Sequence, residues 1–437
     1  VDDGFSQGAG MQMELLNNQV TRGQGVHSPR AVGTFSYGLY LIARNISVPS
    51  VVLDFPSWNE FVSELDNGYT HVGIGFIIPN TLKVHRMATY IRQHYPAVKI
   101  ILGGAGTALP NVGDLVPHDE ICSGEGVEWM RRYFGDESNR RVVGAAVTGP
   151  VDWYYYGYRV RQITSQVFPG VGCKNACNFC HTTHFFKTRY TSFLPTGRAM
   201  FEVCEAESSE HGVATFSVLD ENFLKDKQRA LELLAEMEAN GKPYGFSIFS
   251  SAETIMDVGI DFLVRLGVTF IWIGLEGKNS PYSKIRDVDL KALVKDLRNH
   301  GIRILGSVIL FQDHHDEEKL QEDIDWAIDI APDFLQFMPL CVVPGTALHK
   351  QFARDRRLIE GFAPERMTAA DGIWFQHPHF DASETDDRTN AAFRQNYLEN
   401  GPGSLRVIET ILNGYIQNRA DIAARACAGL VWRLETL

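Results

Sequence analysis

The sequence predicts an α/β protein in three parts: an N-terminal doubly wound parallel sheet, a partial (β/α)6 barrel, and a mainly helical C-terminal region. Two rhythms and one break lead to this reading. Short apolar runs alternate with amphipathic ones from residue 31 to about 135, the pattern of a parallel sheet with helices on both faces. The rhythm restarts at 161 and gives six strand–helix units by 350, part of a barrel whose chemistry sits on loops at the strands' carboxyl ends. Beyond 360 the alternation stops.

Composition bounds what such a chain does. Its 437 residues are 44% hydrophobic, enough for two or three domains with proper cores. No apolar run reaches eighteen residues, so no membrane span is expected. The net charge of -12 argues against a nucleic-acid partner, because phosphate neutralisation dominates such binding. The basic groups Arg140-Arg141, Arg354 and Arg356-Arg357 read as solvated faces. Seven cysteines, an odd number, and the lack of a secretory leader favour a reducing, cytoplasmic setting over a disulfide framework. The 26 Phe and 15 Tyr are mostly core; composition does not separate these from the lining of an apolar substrate pocket.

Residues 1–30 are polar, with Gly8, Gly10, Gly23 and Gly25, and read as an arm. Residues 31–148 form the first domain. A helix is expected at 37–44, a strand at 51–55, and a helix at 58–65 behind Ser57 as N-cap. A strand follows at 71–78, a helix at 81–94, a strand at 99–104 and a last strand at 121–126. Ligands of such sheets bind at the strands' carboxyl ends. Those ends carry Ile77, Asn80 and Thr81, then Gly103, Gly104 and Thr107, then Gly124 and Glu125. The glycines alone specify nothing, since glycine serves wherever a strand turns sharply. Residues 149–160 read as a linker, with a turn at Gly149-Pro150-Val151-Asp152 and an aromatic patch at Trp153-Tyr154-Tyr155-Tyr156.

The barrel is assigned to 161–355. Its strands are expected at 163–168, 215–219, 244–249, 270–274, 303–311 and 334–338, with helices such as 227–238 and 320–330 between them. Residues 356–437 are expected to cap the barrel mouth and help choose the substrate. They hold Trp374-Phe375-Gln376-His377-Pro378-His379-Phe380, a charged, turn-rich stretch at 381–390, and helices at 391–398 and 404–418. His377 and His379 have no carboxylate or cysteine beside them and read as hydrogen-bonded structural residues rather than ligands.

The chemistry concentrates after the first barrel strand, in Cys173-Lys174-Asn175-Ala176-Cys177-Asn178-Phe179-Cys180. Three soft thiolates in one loop can ligate three irons of a [4Fe–4S] cluster and leave the fourth iron open, whereas an electron carrier would bring four. A zinc site completed by His181 or His184 is the alternative. Later strand ends carry Asp220-Glu221-Asn222-Phe223 and Gly274-Leu275-Glu276-Gly277. Carboxylates there accept hydrogen bonds from amino or hydroxyl groups, although solvated acids and a helix cap are the ordinary readings of the first pair. Gly306-Ser307 lies in the fifth strand, and Pro339-Leu340-Cys341-Val342-Val343-Pro344-Gly345-Thr346 follows the sixth.

The cysteine spacing, with Phe179 just before the third cysteine, resembles the signature of the radical S-adenosylmethionine (SAM) enzymes. The resemblance implies that Cys173, Cys177 and Cys180 hold a [4Fe–4S] cluster and that SAM chelates the open iron. One electron, from a donor such as flavodoxin or ferredoxin, would then cleave SAM to a radical that abstracts hydrogen. It further implies SAM contacts from Phe179, Asp220, Glu221, Glu276 and Ser307, with Gly277 standing where relatives have serine. Residues 68–134 resemble the Rossmann-type cobalamin-binding domain that precedes many such enzymes. In that reading Ile77, Asn80, Thr81, Gly103, Gly104, Thr107, Gly124 and Glu125 face cobalamin. The start departs from the family, with Ser28-Pro29-Arg30-Ala31-Val32-Gly33 in place of a Pro-Pro-Leu-Gly-like segment. No Asp-x-His-x-x-Gly motif is present, so no histidine is expected under the cobalt.

The resemblance spans about residues 30–355 and implies cobalamin-dependent C-methylation of a small-molecule or lipid-like substrate. Oxidation, ring rearrangement or C–C bond formation without methyl transfer, or an iron–sulfur carrier or sensor, are the other readings. Cys341 is a candidate hydrogen-atom donor to a substrate radical, against the ordinary reading of a small buried apolar residue.

Overall fold

The computed structural model describes residues 36–417 except 55, 138–139, 156–157, 279, 281–287 and 369–371. The expected arm, the departing segment 28–33 and Cys427 lie outside the described residues.

The first sheet has three parallel strands in chain order: β1 (His71–Gly75), β2 (Lys99–Gly103) and β3 (Glu120–Ile121). Val72 and Ile74 alternate into its core, and Ile100, Ile101 and Leu102 are buried in the central strand. Helices Tyr37–Asn45, Trp58–Leu65, Thr81–His94 and Gly126–Phe134 accompany it. The second of these opens on a capping box. The Glu60 N–H donates to Ser57 Oγ at 3.3 Å, and the Ser57 N–H donates to Glu60 at 2.7 Å.

Two expected strands are corrected. Residues 51–54 form no strand, and Val51 is 57% exposed, so the run has no buried face to drive sheet pairing. The last strand stops at Ile121, and Gly126 begins a helix instead. Glu125 takes the N-cap, accepting from the Val127 and Glu128 N–H groups at 2.7 and 2.8 Å.

The second sheet has seven strands in the order β12-β11-β10-β9-β8-β5-β4. These are β4 (Ala146–Tyr155), β5 (Tyr158–Val167), β8 (Thr215–Val218), β9 (Gly245–Ser250), β10 (Val268–Glu276), β11 (Arg303–Leu310) and β12 (Phe334–Pro339). From β5 to β12 all neighbours are parallel, which gives the six strands of the expected partial barrel. The linker is corrected: Gly149 and Pro150 lie within β4, which pairs antiparallel with β5. Proline read as a turn marker, yet β4 is an edge strand, where a missing N–H costs no ladder bond.

The C-terminal helices buttress this barrel. Thr385–Asn400 begins inside the charged stretch that reads as turns, and its Phe393 meets Phe337 of β12 edge-on at 5.3 Å. Gly403–Gln417 packs on helix Leu290–Asn299, and a Cβ on its Gly414 would lie 2.3 Å from Gly301 Cα. The segment 374–380, rather than these helices, reaches the strand ends. Trp374 Nε1 donates to the Val342 carbonyl at 3.1 Å, and Phe380 packs on Phe311 at 5.3 Å.

Candidate functional site

A two-stranded ribbon, β6 (Gly170–Gly172) with β7 (Tyr190–Ser192), brackets the cysteine loop. Gly172 has φ +93°, and a Cβ there would meet the Arg189 carbonyl at 2.0 Å, so the loop leaves the ribbon through an obligatory glycine. The Cys180 N–H donates to the Cys177 carbonyl at 3.2 Å, and helix His181–Phe185 starts directly behind. The Asn178 carbonyl accepts from the Leu348 N–H at 3.0 Å, tying the loop to the segment after β12. None of Cys173, Cys177 and Cys180 is in a disulfide; Cys177 is buried and the other two are half-buried.

These thiols fit an iron–sulfur cluster better than zinc. Tetrahedral zinc, with bonds of about 2.3 Å, needs ligand atoms within roughly 4 Å of one another. Among the described residues, the group of three His, Cys, Asp or Glu whose ligand atoms lie within 4.8 Å of one another is His314, His315 and Asp323, not the cysteines with His181 or His184.

A cleft of about 380 Å³ opens beside the loop, bordered by Cys173, Lys174, Asn175, Tyr190, Asn222 and Lys225. A smaller one of about 110 Å³ adjoins it over the strand ends, with Asn175, Glu221, Asn222, Ser250, Trp272 and Gly274. Asp220 also lines the larger cleft, and its carboxylate is engaged on its inner side. Arg229 Nη2 donates to it at 2.7 Å with both side chains nearly inaccessible, at 1% and 3%. Tyr190 Oη donates to the same oxygen at 2.6 Å and accepts from Arg229 Nη1 at 2.8 Å. Burial, and then the Asp220 charge, push the Tyr190 phenol well above its ordinary pKa. This triad stiffens the wall of the larger cleft, which Asp220 and Arg229 help to line.

Sequence reasoning missed Asn222. Its Nδ2 donates to Ser251 Oγ at 2.8 Å and its Oδ1 accepts from Ser250 Oγ at 3.1 Å, so it ties the β8 end to the β9 end. The adjacent serines at the third barrel strand's end were the available signal. Ser307 is likewise committed: Trp272 Nε1 donates to it, and it donates to Gln336 at 2.9 Å, spanning three strands. Phe179 is half-buried against the barrel core. Glu221 is exposed at the small cleft.

Glu276 closes β10, is buried, and holds φ +63°. A Cβ on Gly274 would lie 2.6 Å from Glu276 Oε1, so the carboxylate folds back over its own strand. A Cβ on Gly277 would lie 2.2 Å from Asp323 Oδ2, which explains glycine where relatives have serine.

At the first sheet, the glycine turn is imposed by packing. A Cβ on Gly104 (φ +81°) would meet the Phe76 carbonyl at 2.7 Å, and one on Gly106 would enter the Phe76 ring. Thr107 Oγ1 donates to the Gly104 carbonyl at 2.8 Å, and Gly103 ends β2 beside Cys122. Ile77 is half-buried, Asn80 and Thr81 are buried, and the turn Pro364–Arg366 packs over Ile78–Asn80. That end is therefore covered. Gly124 faces open space, while Glu125 is spent as a helix cap. The turn Ala105–Ala108 touches helix His181–Phe185, so the first sheet's strand ends and the cysteine loop are neighbours. His184 Nε2 on that helix is buried with no hydrogen-bond partner.

Cys341 is half-buried, and its Sγ donates to the Pro339 carbonyl at 3.3 Å. Burial pushes its pKa up to about 12, so it stays a thiol. It borders neither cleft.

Residues 167–327 match the model of the radical SAM superfamily, covering the barrel strands β8 to β11 and the cysteine loop. The loop and barrel thus form a radical SAM domain, which implies a [4Fe–4S] cluster and SAM as cofactors. The architecture, with the small parallel sheet in front, resembles that of the radical SAM methyltransferase TsrM from Kitasatospora setae, a structure with cobalamin and a [4Fe–4S] cluster bound. That likeness has a TM-score of 0.60 at 14% identity, over 84% of this chain and 82% of that one. An uncharacterized methyltransferase of Pyrococcus horikoshii is 22% identical over 271 residues, 60% of this chain and 55% of that protein. The cytidylyl-2-hydroxyethylphosphonate methyltransferase of Streptomyces wedmorensis is 24% identical over 239 residues, 50% of this chain and 43% of that protein. The chain spans about half the length of these curated relatives. Among the described residues no helix is long and apolar enough to cross a membrane.

Proposed function

We propose that this radical SAM enzyme C-methylates a small-molecule or lipid-like substrate with the help of cobalamin. The observation that carries the reading is the contact between the Ala105–Ala108 turn and the helix behind the cysteine loop. It brings the strand ends of both sheets, where each kind of sheet binds its ligand, to one junction. A cluster at Cys173, Cys177 and Cys180 supplies the electron that cleaves SAM, and cobalamin, when bound, supplies a transferable methyl group.

The chain's own residues bind, orient and exclude water. Glu276 accepts hydrogen bonds from the SAM amino or ribose hydroxyl groups. Glu221, Asn175 and Ser250 line the small cleft over the strand ends, together with Trp272. The buried triad of Asp220, Arg229 and Tyr190 keeps the wall rigid. An electron donor such as flavodoxin or ferredoxin reduces the cluster in a reducing, cytoplasmic setting.

Two observations support cobalamin at the junction: a Cβ on Gly124 would meet open space, and His184 Nε2 is buried without a hydrogen-bond partner. Cobalamin does not fit at Ile77, Asn80 and Thr81, which Pro364–Arg366 covers. That covered end favours a second reading, an oxidation or rearrangement without methyl transfer. Anaerobically reconstituted protein incubated with hydroxocobalamin, then desalted, tests the choice by its ultraviolet–visible spectrum. Retained corrinoid bands at about one per chain support the first reading. Cluster bands alone, with SAM cleavage intact, move the function to the second. A protein that never cleaves SAM when reduced defeats both and leaves an iron–sulfur carrier.

A further inference from the structure

Behind the site, just past β11, the buried Gln312 ties several elements together. Its Nε2 donates to the Glu276 carbonyl at 3.2 Å and to the Ile309 carbonyl at 3.0 Å, bridging the ends of two neighbouring strands. Its backbone N–H donates to His315 Nδ1 at 3.1 Å. That bond leaves His315 Nε2 as the protonated nitrogen, and Nε2 donates to Asp323 Oδ2 at 3.1 Å. Both of those side chains are 0% exposed. The Gln312 carbonyl accepts from His377 Nε2 at 3.0 Å, and His377 Nδ1 accepts from the His379 N–H at 3.1 Å.

The network stands where the backbone is strained. Glu276 has φ +63° and Phe311 has φ +60°, left-handed conformations that ordinary residues hold only when their surroundings enforce them. Asp323 also fills the space beside Gly277, leaving position 277 no room for a side chain.

His314, His315 and Asp323 are close enough to suggest a metal centre. The tautomer argues against it. A metal-bound imidazole donates through its other nitrogen, whereas His315 Nδ1 accepts a backbone N–H. We infer that Gln312, His315 and Asp323 are positioning residues: a buried relay that fixes the strained end of β10 and so aims the Glu276 carboxylate at SAM. This rests on the reading of Glu276 as a SAM contact. The same relay accounts for His377, which the sequence offers no role beyond structure.

The test is a double-mutant cycle on cluster-loaded protein, reading the SAM dissociation constant by anaerobic equilibrium dialysis. Glu276→Gln should weaken SAM about tenfold. His315→Ala should do the same with iron content unchanged. The double variant should lose no more than either single one, since both act through one carboxylate. If Glu276→Gln binds SAM normally, the Glu276 reading fails first and the relay's purpose with it. If Glu276→Gln weakens SAM but His315→Ala does not, or if the two losses multiply, the relay is structural only and the inference is overturned. Should His315→Ala not fold, as judged by circular dichroism, Gln312→Met removes the two strand-end bonds made by Gln312 Nε2 and carries the same expectations. A stoichiometric divalent metal in protein lacking all three loop cysteines, lost on Asp323→Asn, would replace the relay with a metal site.

Discussion

Single side chains here divide into those that present chemistry and those that hold others still. Cys173, Cys177 and Cys180 belong to the first kind, and replacing any one by Ala should drop iron from about four per chain towards none. Iron and acid-labile sulfide analysis after anaerobic reconstitution checks this; a stable count near eight would mean a second cluster. Arg229 belongs to the second kind. Its partner Asp220 is buried with it, so Arg229→Met leaves a carboxylate in a dry site without its counter-charge. Breaking such a pair costs about 3–5 kcal/mol. Tyr190→Phe removes one hydrogen bond from the same carboxylate and should cost only about 1 kcal/mol. Denaturant melts of the two variants should separate clearly; equal losses would mean that the ion pair contributes no more than a single hydrogen bond.

Between elements, Asp119 shows how a short strand is secured. It stands just before β3, accepts from the Ile100 N–H at 2.8 Å and from Lys99 at 3.1 Å, and pairs with Arg92 of helix Thr81–His94. Burial alone would raise its pKa, but these donors outweigh it and hold the carboxyl at about 2, below the ordinary 3.8. A depressed carboxylate stabilises the fold fully above its unfolded value and loses that contribution as pH falls through the folded one. Asp119→Asn should therefore cost about 2 kcal/mol at pH 7, with the gap from the parent closing between about pH 4 and 2. Urea unfolding at several pH values measures this. A gap that persists unchanged at pH 2 would assign the loss to packing.

For the molecule as a whole, the junction of the two sheets is the feature to probe. Gly345, in the segment after β12, stands against Ala108, where a Cβ would already be 3.3 Å from the Ala108 Cβ. Gly345 also has φ +88°, so a side chain there is strained as well as crowded. Gly345→Trp should wedge the first sheet's turn away from the cysteine loop without touching a cluster ligand. SAM cleavage to 5′-deoxyadenosine should survive while substrate methylation falls by at least an order of magnitude. Product analysis by mass spectrometry reads both, and parallel loss of the two would show that the junction serves the barrel's stability instead.

Much of this was legible in the chain. The six parallel barrel strands, the N-cap at Ser57 and the three-cysteine loop follow from period, spacing and local hydrogen bonding, which are properties of neighbours in sequence. The edge strand through Pro150 was hidden, because its pairing depends on β5 and not on its own residues. The commitments of Asp220 to Arg229, Ser307 to Gln336 and Glu125 to a helix end were hidden for a related reason. A carboxylate or hydroxyl at a strand end reads as a ligand until its partners are known, and only folding brings those partners within hydrogen-bond reach. Gly277 makes the same point from the other side, since its missing side chain is explained by Asp323, 46 residues along the chain. Sequence alone singled out the three cysteines proposed to hold the cluster, because metal ligation depends on residue type and short spacing. The tertiary structure decided which neighbouring groups stay free to meet a ligand, because that depends on what burial leaves unpaired.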